Sequence, residues 1–233
     1  MAEAAGRVAL VAGGSGLVGA RLLPLLLDAT EYSRVLALSR RPLPLDHPRF
    51  ANRVLRFDAG LETQLAGTQV NDAFCCLGTT IREAGSQAAF RAVDYELVLQ
   101  IARVALAAGA ERFAVVSAVG ASQSSRNFYL RVKGEMEHAL GSLSFRAIDI
   151  MQPSVLLGAR RTLRPLEMLT QGLLWTLNPL LLGGVARFRG IAAGTVAAAM
   201  LGAARSGRRG ISRYAYRDMS ALAASRAGDR PRL

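Results

Sequence analysis

Residues 8–20 have the sequence VALVAGGSGLVGA, and this stretch decides the fold. Its first five residues form a short apolar run, which is typical of a buried parallel strand. The apolar residues from Leu17 to Leu27 recur with helical spacing, so a helix is predicted directly after the strand. Between the two lie three glycines with G-x-x-G-x-x-G spacing, namely Gly13, Gly16 and Gly19. A strand, a glycine turn and a helix N-terminus together form a cradle for a pyrophosphate.

The three glycines of this loop have separate expected roles. Gly13 permits the tight turn, Gly16 lets a pyrophosphate approach backbone N–H groups, and Gly19 lets the helix pack closely against the strand. A plain glycine turn is the alternative interpretation, and the position in the first strand–helix unit argues against it. The candidate cofactor-binding residues of the loop are Gly13, Ser15, Gly16, Leu17, Val18 and Gly19.

The end of the second predicted strand, residues 34–39, indicates which dinucleotide is bound. NAD-binding folds place an acidic residue here, about 20 residues after the glycines, where it binds the ribose 2′-hydroxyl. In this chain Ser39 occupies that position, and Arg40 and Arg41 follow it. Guanidinium groups pair with a 2′-phosphate, which a carboxylate would repel. The sequence therefore predicts NADP(H) bound by Ser39, Arg40 and Arg41; the alternative is that the two arginines only open an exposed loop.

Strand-like and helix-like segments alternate through the first two thirds of the chain. Further strands are predicted at residues 53–58, 72–77, 112–117 and 145–151, and helices at 86–108 and 127–140. This alternation predicts an α/β fold, a Rossmann-type doubly wound parallel sheet with helices on both faces. In such sheets the ligand-binding loops follow the carboxyl ends of the strands. The further candidate cofactor contacts are therefore Asp58, Leu77, Gly78, Thr79, Thr80 and Pro153.

The last third of the chain is less regular. Residues 163–182 are apolar but interrupted by polar residues, which predicts one or two helices over the substrate side of the crevice. A helix lying in a membrane interface is the alternative for this segment. A helix is expected at 195–205, a short strand at 213–216 and a disordered tail from residue 224. We therefore expect one domain over residues 1–233, with a core at about 7–157, a substrate-side segment at 158–223 and a tail at 224–233.

Charge and cysteine content limit the classes of partner and compartment. The chain carries 29 Lys and Arg against 17 Asp and Glu, a formal net charge of +12, and the arginines are scattered. This distribution predicts no nucleic-acid partner; it fits a basic surface composition or attraction to anionic cofactors, and peripheral membrane contact stays open. The adjacent Cys75 and Cys76 are poorly placed to bridge each other, and no metal-ligand spacing occurs. Unpaired thiols, without a signal peptide or a long apolar span, predict a cytoplasmic protein.

A second group of residues indicates chemistry at the same crevice. Ser117 ends the fifth predicted strand, and the next helix carries Tyr129 and Lys133 four residues apart on one face. Reduction of a carbonyl needs a proton donor beside its oxygen, and a nearby cation suits a tyrosine to this task by lowering its pKa. Lys133 would supply that charge and bind the nicotinamide ribose, while Ser117 would orient the carbonyl. The candidate catalytic residues are therefore Ser117, Tyr129 and Lys133.

Together these motifs resemble those of the short-chain dehydrogenase/reductase superfamily, and more narrowly its atypical branch of Tat-interacting-protein-like NAD(P)H-binding oxidoreductases. The resemblance covers residues 7–157 well and the last third only loosely. The segments that carry it are GGSGLVG at 13–19, SRR at 39–41, CCLGTT at 75–80, AG at 84–85, VD at 93–94, Ser117 and YLRVKGE at 129–135. Of these, CCLGTT is the most specific.

The resemblance implies a Rossmann fold, NADP(H) binding and a Ser–Tyr–Lys set at Ser117, Tyr129 and Lys133. Two departures are visible: the loop after the fourth strand lacks the asparagine that many members use in a proton relay, and Ala118 stands where a second serine is common. Relatives on this branch are also known as regulators that bind a dinucleotide. Two hypotheses therefore stay open. One is an NADP(H)-dependent oxidoreductase, monomeric or homodimeric, that transfers hydride to or from a small carbonyl or alcohol; the other is a non-catalytic dinucleotide sensor.

Overall fold

The computed structural model describes residues 6–55, 57, 61, 65, 67–157 and 189–225. The strands in these residues are β1 (Arg7–Ala12), β2 (Tyr32–Ser39), β3 (Phe50–Val54), β4 (Asp72–Cys75), β5 (Arg112–Val116), β6 (Ala147–Met151), β7 (Leu156–Leu157), β8 (Ile191–Ala192) and β9 (Gly210–Tyr214). Seven of them form one sheet in the order β3-β2-β1-β4-β5-β6-β9, and all neighbours in it are parallel. The two short strands β7 and β8 pair separately.

The central strand β1 explains where a ligand can bind. The chain adds β2 and β3 on one side of β1, then crosses back to place β4, β5 and β6 on the other. This reversal between β1 and β4 is a topological switch point, where the loops leaving the two strands diverge and open a crevice outside their carboxyl ends. The glycine loop after β1 and the CCLGTT segment at the end of β4 are the two walls of that crevice.

Helices cover both faces of the sheet. They are α1 (Gly19–Leu27), α2 (Ile81–Ala84), α3 (Gln87–Arg91), α4 (Val98–Ala107), α5 (Phe128–Leu140), α6 (Ala193–Arg205) and α7 (Tyr216–Ser225), with a π-helical turn at Ala92–Leu97 between α3 and α4. Along β1 the buried side chains alternate: Ala9 and Val11 join the core under α1 and α6, and Leu10 and Ala12 join the core under α4 and α5. Burial on both faces explains why this strand is apolar without alternation.

The predicted α/β doubly wound sheet is confirmed, and several elements of the chain have bounds that differ from the prediction. The third strand is Phe50–Val54, three residues before the predicted 53–58. It is an edge strand whose residues are half-buried or exposed, so hydrophobicity marks its position poorly. Asp58, the predicted cofactor contact at its end, lies outside the described residues.

The predicted helix at 86–108 is several elements rather than one. Gly85, with φ of +84°, ends α2, and the Ser86 hydroxyl then accepts the Ala89 N–H to begin α3. The π-helical turn at Ala92–Leu97 interrupts the regular hydrogen bonding before α4. Gly109, with φ of +91°, follows the end of α4 as predicted. The π-helical turn gives no signal in the apolar spacing, because the apolar face continues through it.

The C-terminal part contains more structure than predicted. The last strand is Gly210–Tyr214 instead of 213–216, and α7 follows it to Ser225, so the residues 224–225 predicted to be disordered lie in a helix. The predicted helix at 195–205 is α6, which begins two residues earlier at Ala193. The predicted helices at 163–182 and the tail beyond 225 lie outside the described residues. Over the described part of the chain, none of the helices has both the length and the apolar character to span a bilayer.

Candidate functional site

A cavity of about 1210 Å³ occupies the crevice at the switch point. Its walls are the glycine loop, the segment after β4, one face of α5, and the start of α6. Most residues predicted from the sequence meet in it: Ser15, Gly16, Leu17, Val18, Leu77, Gly78, Thr79, Thr80, Ser117, Tyr129, Lys133 and Pro153. The structure therefore joins the predicted dinucleotide cradle and the predicted catalytic set in one space.

The glycine loop is shaped by its first and third glycines. Gly13 has φ of +82°, and a Cβ there would lie 2.6 Å from the carbonyl carbon of Cys76. A Cβ at Gly19 would collide with the carbonyl oxygen of Gly13. At Gly16, whose N–H donates to the Gly13 carbonyl oxygen at 3.0 Å, the nearest atom to an added Cβ is 3.3 Å away. Gly13 and Gly19 therefore fix the backbone, and Gly16 lines the cavity that they create.

The structure does not bring the residues at the end of β2 into the cavity. The Ser39 hydroxyl donates to the carbonyl oxygen of Arg41 at 2.7 Å and accepts from Asn52 at 2.8 Å, so it is committed within the protein. Arg40 and Arg41 are exposed and are not among the residues that line the cavity. Arg21, on the first turn of α1, is a lining residue that the sequence argument missed. The sequence feature that could have indicated Arg21 is its position, two residues after the last glycine of the loop, Gly19.

Lys133 is held by a carboxylate that the sequence argument quoted but gave no role. Its Nζ lies 2.7 Å from Asp94 Oδ1 and 3.3 Å from the Val116 carbonyl oxygen, and both charged side chains are almost completely buried. The other oxygen of Asp94 accepts the Thr79 N–H at 2.9 Å, which ties the π-helical turn to the loop after β4. Asp94 shares the buried face of its helix with Val98 and Ile101. An acid at such a position is unusual without a partner, and this feature of the sequence could have indicated its role.

Tyr129 has an environment different from the one expected. Its ring packs against Phe90, with 5.5 Å between the ring centroids. Burial raises the pKa of Tyr129; the Lys133 ammonium acts to lower that pKa and the Asp94 carboxylate to raise it. The lowering of the pKa that Lys133 was expected to cause is therefore outweighed by burial. Tyr129 is a protonated phenol at neutral pH.

Ser117 faces a buried carboxylate. Its hydroxyl donates to Glu137 Oε1 at 2.6 Å, and its N–H donates to the Met151 carbonyl oxygen at 2.7 Å. Glu137 lies one helical turn after Lys133, so Tyr129, Lys133 and Glu137 follow one another at four-residue intervals along α5. Glu137 was not among the residues predicted from the sequence, although its spacing from Tyr129 and Lys133 is a feature that could have indicated it.

The two cysteines lie on opposite sides of the sheet, as their adjacency predicted. Cys75 joins the core under α4 and α5, and Cys76 packs on the α1 and α6 side, where its thiol is 3.8 Å from the Met200 sulfur. Burial raises the pKa of Cys75 to about 12 and raises that of Cys76 as well. Both thiols are therefore protonated at neutral pH, which argues against a nucleophilic role.

No protein-family model matches the chain. Among curated proteins it is similar to Protein HTATIP2 of Rattus norvegicus, with 37% identity over 165 residues, which are 69% of this chain and 67% of that protein. It is also similar to Protein FMP52-1, mitochondrial, of Scheffersomyces stipitis, with 35% identity over 157 residues, which are 66% of this chain and 69% of that protein. Protein FMP52, mitochondrial, of Saccharomyces cerevisiae is 35% identical over 153 residues, 65% of this chain and 66% of that protein.

Solved structures share the fold at low sequence identity. An oxidoreductase of the short-chain dehydrogenase/reductase family from Burkholderia thailandensis superposes with a TM-score of 0.67 and 21% identity, covering 89% of this chain and 90% of that one. MoeE5, whose structure holds UDP-glucose and NAD, superposes with a TM-score of 0.65 and 16% identity, covering 97% of this chain and 83% of that one. The architecture is therefore that of the short-chain dehydrogenase/reductase fold.

The fungal relatives contradict one expectation. They are named mitochondrial, so the prediction of a cytoplasmic location is wrong. The prediction rested on two unpaired thiols together with the N-terminal and apolar patterns of the sequence; unpaired thiols indicate only a reducing environment, which is not unique to the cytoplasm.

Proposed function

The chain belongs to the family of HTATIP2 and FMP52 proteins, as its motifs predicted, and from this premise we propose that it is an NADP(H)-dependent oxidoreductase. The proposed reaction is hydride transfer to or from a small carbonyl or alcohol. The observation that carries the proposal is the cavity at the switch point, where the lysine and tyrosine of one helix face share a space with the glycine loop.

The residues present fit a dinucleotide. A side chain at Gly13 or Gly19 would collide with backbone, so the loop keeps the tight curve that lets a pyrophosphate approach the start of α1. Lys133 Nζ pairs with Asp94 at 2.7 Å and donates to the Val116 carbonyl oxygen at 3.3 Å, and Lys133 lines the cavity. Its ammonium group, which has three protons, would also donate to a ribose hydroxyl. When bound, the nicotinamide ring supplies or accepts the hydride.

The chain's own residues would donate and take back the proton that accompanies hydride transfer. Tyr129, protonated at neutral pH, would donate a hydrogen bond to the reacting oxygen, give up its proton during reduction and recover it during oxidation. Lys133 would keep the ribose beside this hydroxyl, and its pairing with Asp94 avoids an uncompensated buried charge. Phe90 packs on the tyrosine ring and restricts its position.

The preference for NADP(H) over NAD(H) is argued from charge. No acid stands at the end of β2; Arg21 lines the cavity, and Arg40 and Arg41 are exposed directly after that strand, outside the cavity lining. A charge-assisted pair with a 2′-phosphate contributes about 1.5–3 kcal/mol, which is about ten- to hundredfold in affinity. Calorimetric titration should show tighter binding of NADPH than of NADH. Replacing the responsible arginine, Arg21→Ala or Arg40→Ala, should remove the difference; equal affinities in the unmodified protein would refute the preference.

Turnover is tested separately from binding. A panel of aldehydes, ketones and quinones, followed by NADPH absorbance, identifies a reductase activity. Tyr129→Phe should then lower turnover by about 10²–10⁴-fold and leave nucleotide affinity intact, because the phenol acts only on the reacting oxygen. Lys133→Ala should weaken both. Undiminished turnover in Tyr129→Phe would remove the catalytic assignment.

The second candidate function is a dinucleotide sensor without turnover. It is favoured by one feature of the site: the Ser117 hydroxyl is bonded to Glu137 and so is not free to donate to a carbonyl. Nucleotide binding without oxidation or reduction of any substrate in the panel would support this candidate.

A further inference from the structure

Glu137 is a buried residue whose carboxyl group is the centre of a hydrogen-bond cluster behind Ser117. Its Oε1 accepts from the Ser117 hydroxyl at 2.6 Å and from Gln152 Nε2 at 2.8 Å, and its Oε2 accepts from Arg213 Nε at 2.9 Å. Only about 3% of Glu137 is exposed. Three donors, one of them a guanidinium, surround this carboxyl group, and that arrangement suits an ionised carboxylate, which can only accept.

The direction of these bonds decides what Ser117 offers to a ligand. Because an ionised Glu137 has no proton to give, the single hydroxyl proton of Ser117 points at Glu137. Ser117 is one of the residues that line the cavity, and a ligand that reached its hydroxyl oxygen there would meet lone pairs alone. Tyr129, which lines the same cavity, meets it with a phenolic proton. The two side chains therefore present one acceptor and one donor.

A hydroxyl group matches this pair, and a carbonyl group does not. An alcohol donates its proton to Ser117 and accepts the proton of Tyr129, whereas a carbonyl oxygen beside Ser117 would place lone pairs against lone pairs. We propose that Glu137 is a positioning residue that holds Ser117 as a hydrogen-bond acceptor, so that the site selects the alcohol over the corresponding carbonyl compound. The inference rests on the proposed function, because it places the reacting oxygen between Ser117 and Tyr129.

Glu137→Gln is the variant that reverses the polarity of the cluster without changing its shape. The glutamine oxygen can accept from Arg213, and its amide N–H groups can donate to Ser117 and to the turned amide of Gln152. Ser117 then accepts from residue 137 and turns its own proton into the cavity. A carbonyl group becomes the better match.

The test uses menthol and menthone, an alcohol and a ketone of the same carbon skeleton. Their dissociation constants are measured by saturation-transfer NMR, menthol with NADPH and menthone with NADP⁺ so that no reaction occurs, and both again with nucleotide-free protein. The quantity compared between variants is the ratio of the two dissociation constants. Each variant is measured with the same two nucleotides, so the difference between the nucleotides cancels when the ratios are compared. The unmodified protein should bind menthol more tightly, and Glu137→Gln should shift the ratio toward menthone by about three- to tenfold, the worth of one hydrogen bond.

Two further variants make the result specific. Glu135→Gln is the matched control: it makes the same change on the same helix, but Glu135 pairs with Arg91, so the ratio should stay at the value of the unmodified protein. Ser117→Ala should weaken menthol more than menthone, and it should cancel the effect of Glu137→Gln in the double variant. The effect of Ser117→Ala alone remains measurable if Glu137→Gln does not fold.

The failures of the two proposals are distinct. Absence of nucleotide binding in calorimetry refutes the proposed function, while the probe ratio in nucleotide-free protein still tests the role of Glu137. An unchanged ratio in Glu137→Gln, a menthone preference in the unmodified protein, or binding of neither probe overturns the inference about Ser117.

Discussion

At the level of single residues, the pair Asp94–Lys133 sets the charge next to Tyr129. A lysine alone would favour the tyrosine anion, but here the ammonium lies 2.7 Å from a buried carboxylate. Burial then dominates, and the pKa of Tyr129 is raised. The pKa of Tyr129 is thus also influenced by a residue that lies outside the predicted Ser–Tyr–Lys set.

Asp94→Asn should lower the pKa of Tyr129, because the variant removes the negative charge and leaves the lysine cation unopposed. For oxidation of an alcohol, which needs the tyrosine anion, the rate should begin to rise at a lower pH than in the unmodified protein. The pH profile of turnover checks this, and tyrosinate absorbance gives the same pKa without a substrate when Tyr129→Phe spectra are subtracted. An unmoved pH profile would show that Asp94 has no electrostatic effect on the tyrosine.

The same variant should cost stability. Breaking a buried ion pair leaves one charge without a partner, which typically destabilises by about 3–5 kcal/mol. Urea unfolding of Asp94→Asn should show this loss, and Asp94→Asn combined with Lys133→Met should recover part of it. The double variant also separates stability from the pH effect, since it has no lysine charge to act on Tyr129.

At the level of elements, the glycine loop should separate folding from binding. Gly19→Ala places a Cβ against the Gly13 carbonyl oxygen, where only backbone movement relieves the collision, so a lower melting temperature is expected. At Gly16 an added Cβ meets the Gly13 carbonyl oxygen at 3.3 Å, so Gly16→Val should fold after a local backbone shift of a few tenths of an ångström, yet its side chain would enter the cavity that Gly16 lines. Thermal unfolding and calorimetric titration with NADPH measure the two effects. Normal NADPH affinity in Gly16→Val would show that this loop is not the cradle.

The elements also show how far the sequence determines the structure. β1 and the glycine loop are predictable, because burial on both faces and steric demands on glycine act locally. The edge strand β3 is misplaced by three residues, since a half-buried strand has no clear apolar pattern. The partners of Lys133 and Ser117 are also missed. Asp94 contacts Lys133 because α5 packs against the π-helical turn, and Glu137 contacts Ser117 because α5 packs against the end of β5. Contacts between segments that are distant in the sequence are only weakly indicated by local sequence patterns.

On the scale of the whole molecule, two buried aspartates link the strands of the sheet. Asp72 on β4 binds Arg7 at 2.6 Å and the Tyr32 hydroxyl at 2.7 Å, which joins β4 to β1 and β2 across the switch point. Asp149 on β6 binds Arg112 of β5 at 2.6 Å and Tyr214 of β9 at 3.0 Å. An aspartate with an arginine and a tyrosine thus links three strands in each of the two clusters, and the Asp72 cluster connects the two sides of the sheet between which the cavity opens.

The first of these clusters makes stability sensitive to high pH. Burial, with the Asp72 charge adding to it, raises the pKa of Tyr32 above its ordinary value. A group whose pKa is higher in the folded state stabilises the fold fully below the pKa of the unfolded chain, about 10 for tyrosine, and loses that contribution as the pH rises further. Each such group steepens the loss of stability by up to about 1.4 kcal/mol per pH unit.

Tyr32→Phe should therefore change both the level and the slope of stability. At neutral pH the variant leaves one Asp72 oxygen without its donor, at a cost of about 1–3 kcal/mol. Above pH of about 10 its stability should fall less steeply than that of the unmodified protein, because the titrating phenol is gone. Urea unfolding at a series of pH values measures both, with Tyr95→Phe as the control, since Tyr95 stacks beneath Arg91 instead of binding a buried carboxylate. Parallel stability curves for Tyr32→Phe and the unmodified protein would mean that the Tyr32–Asp72 bond does not hold the phenol protonated.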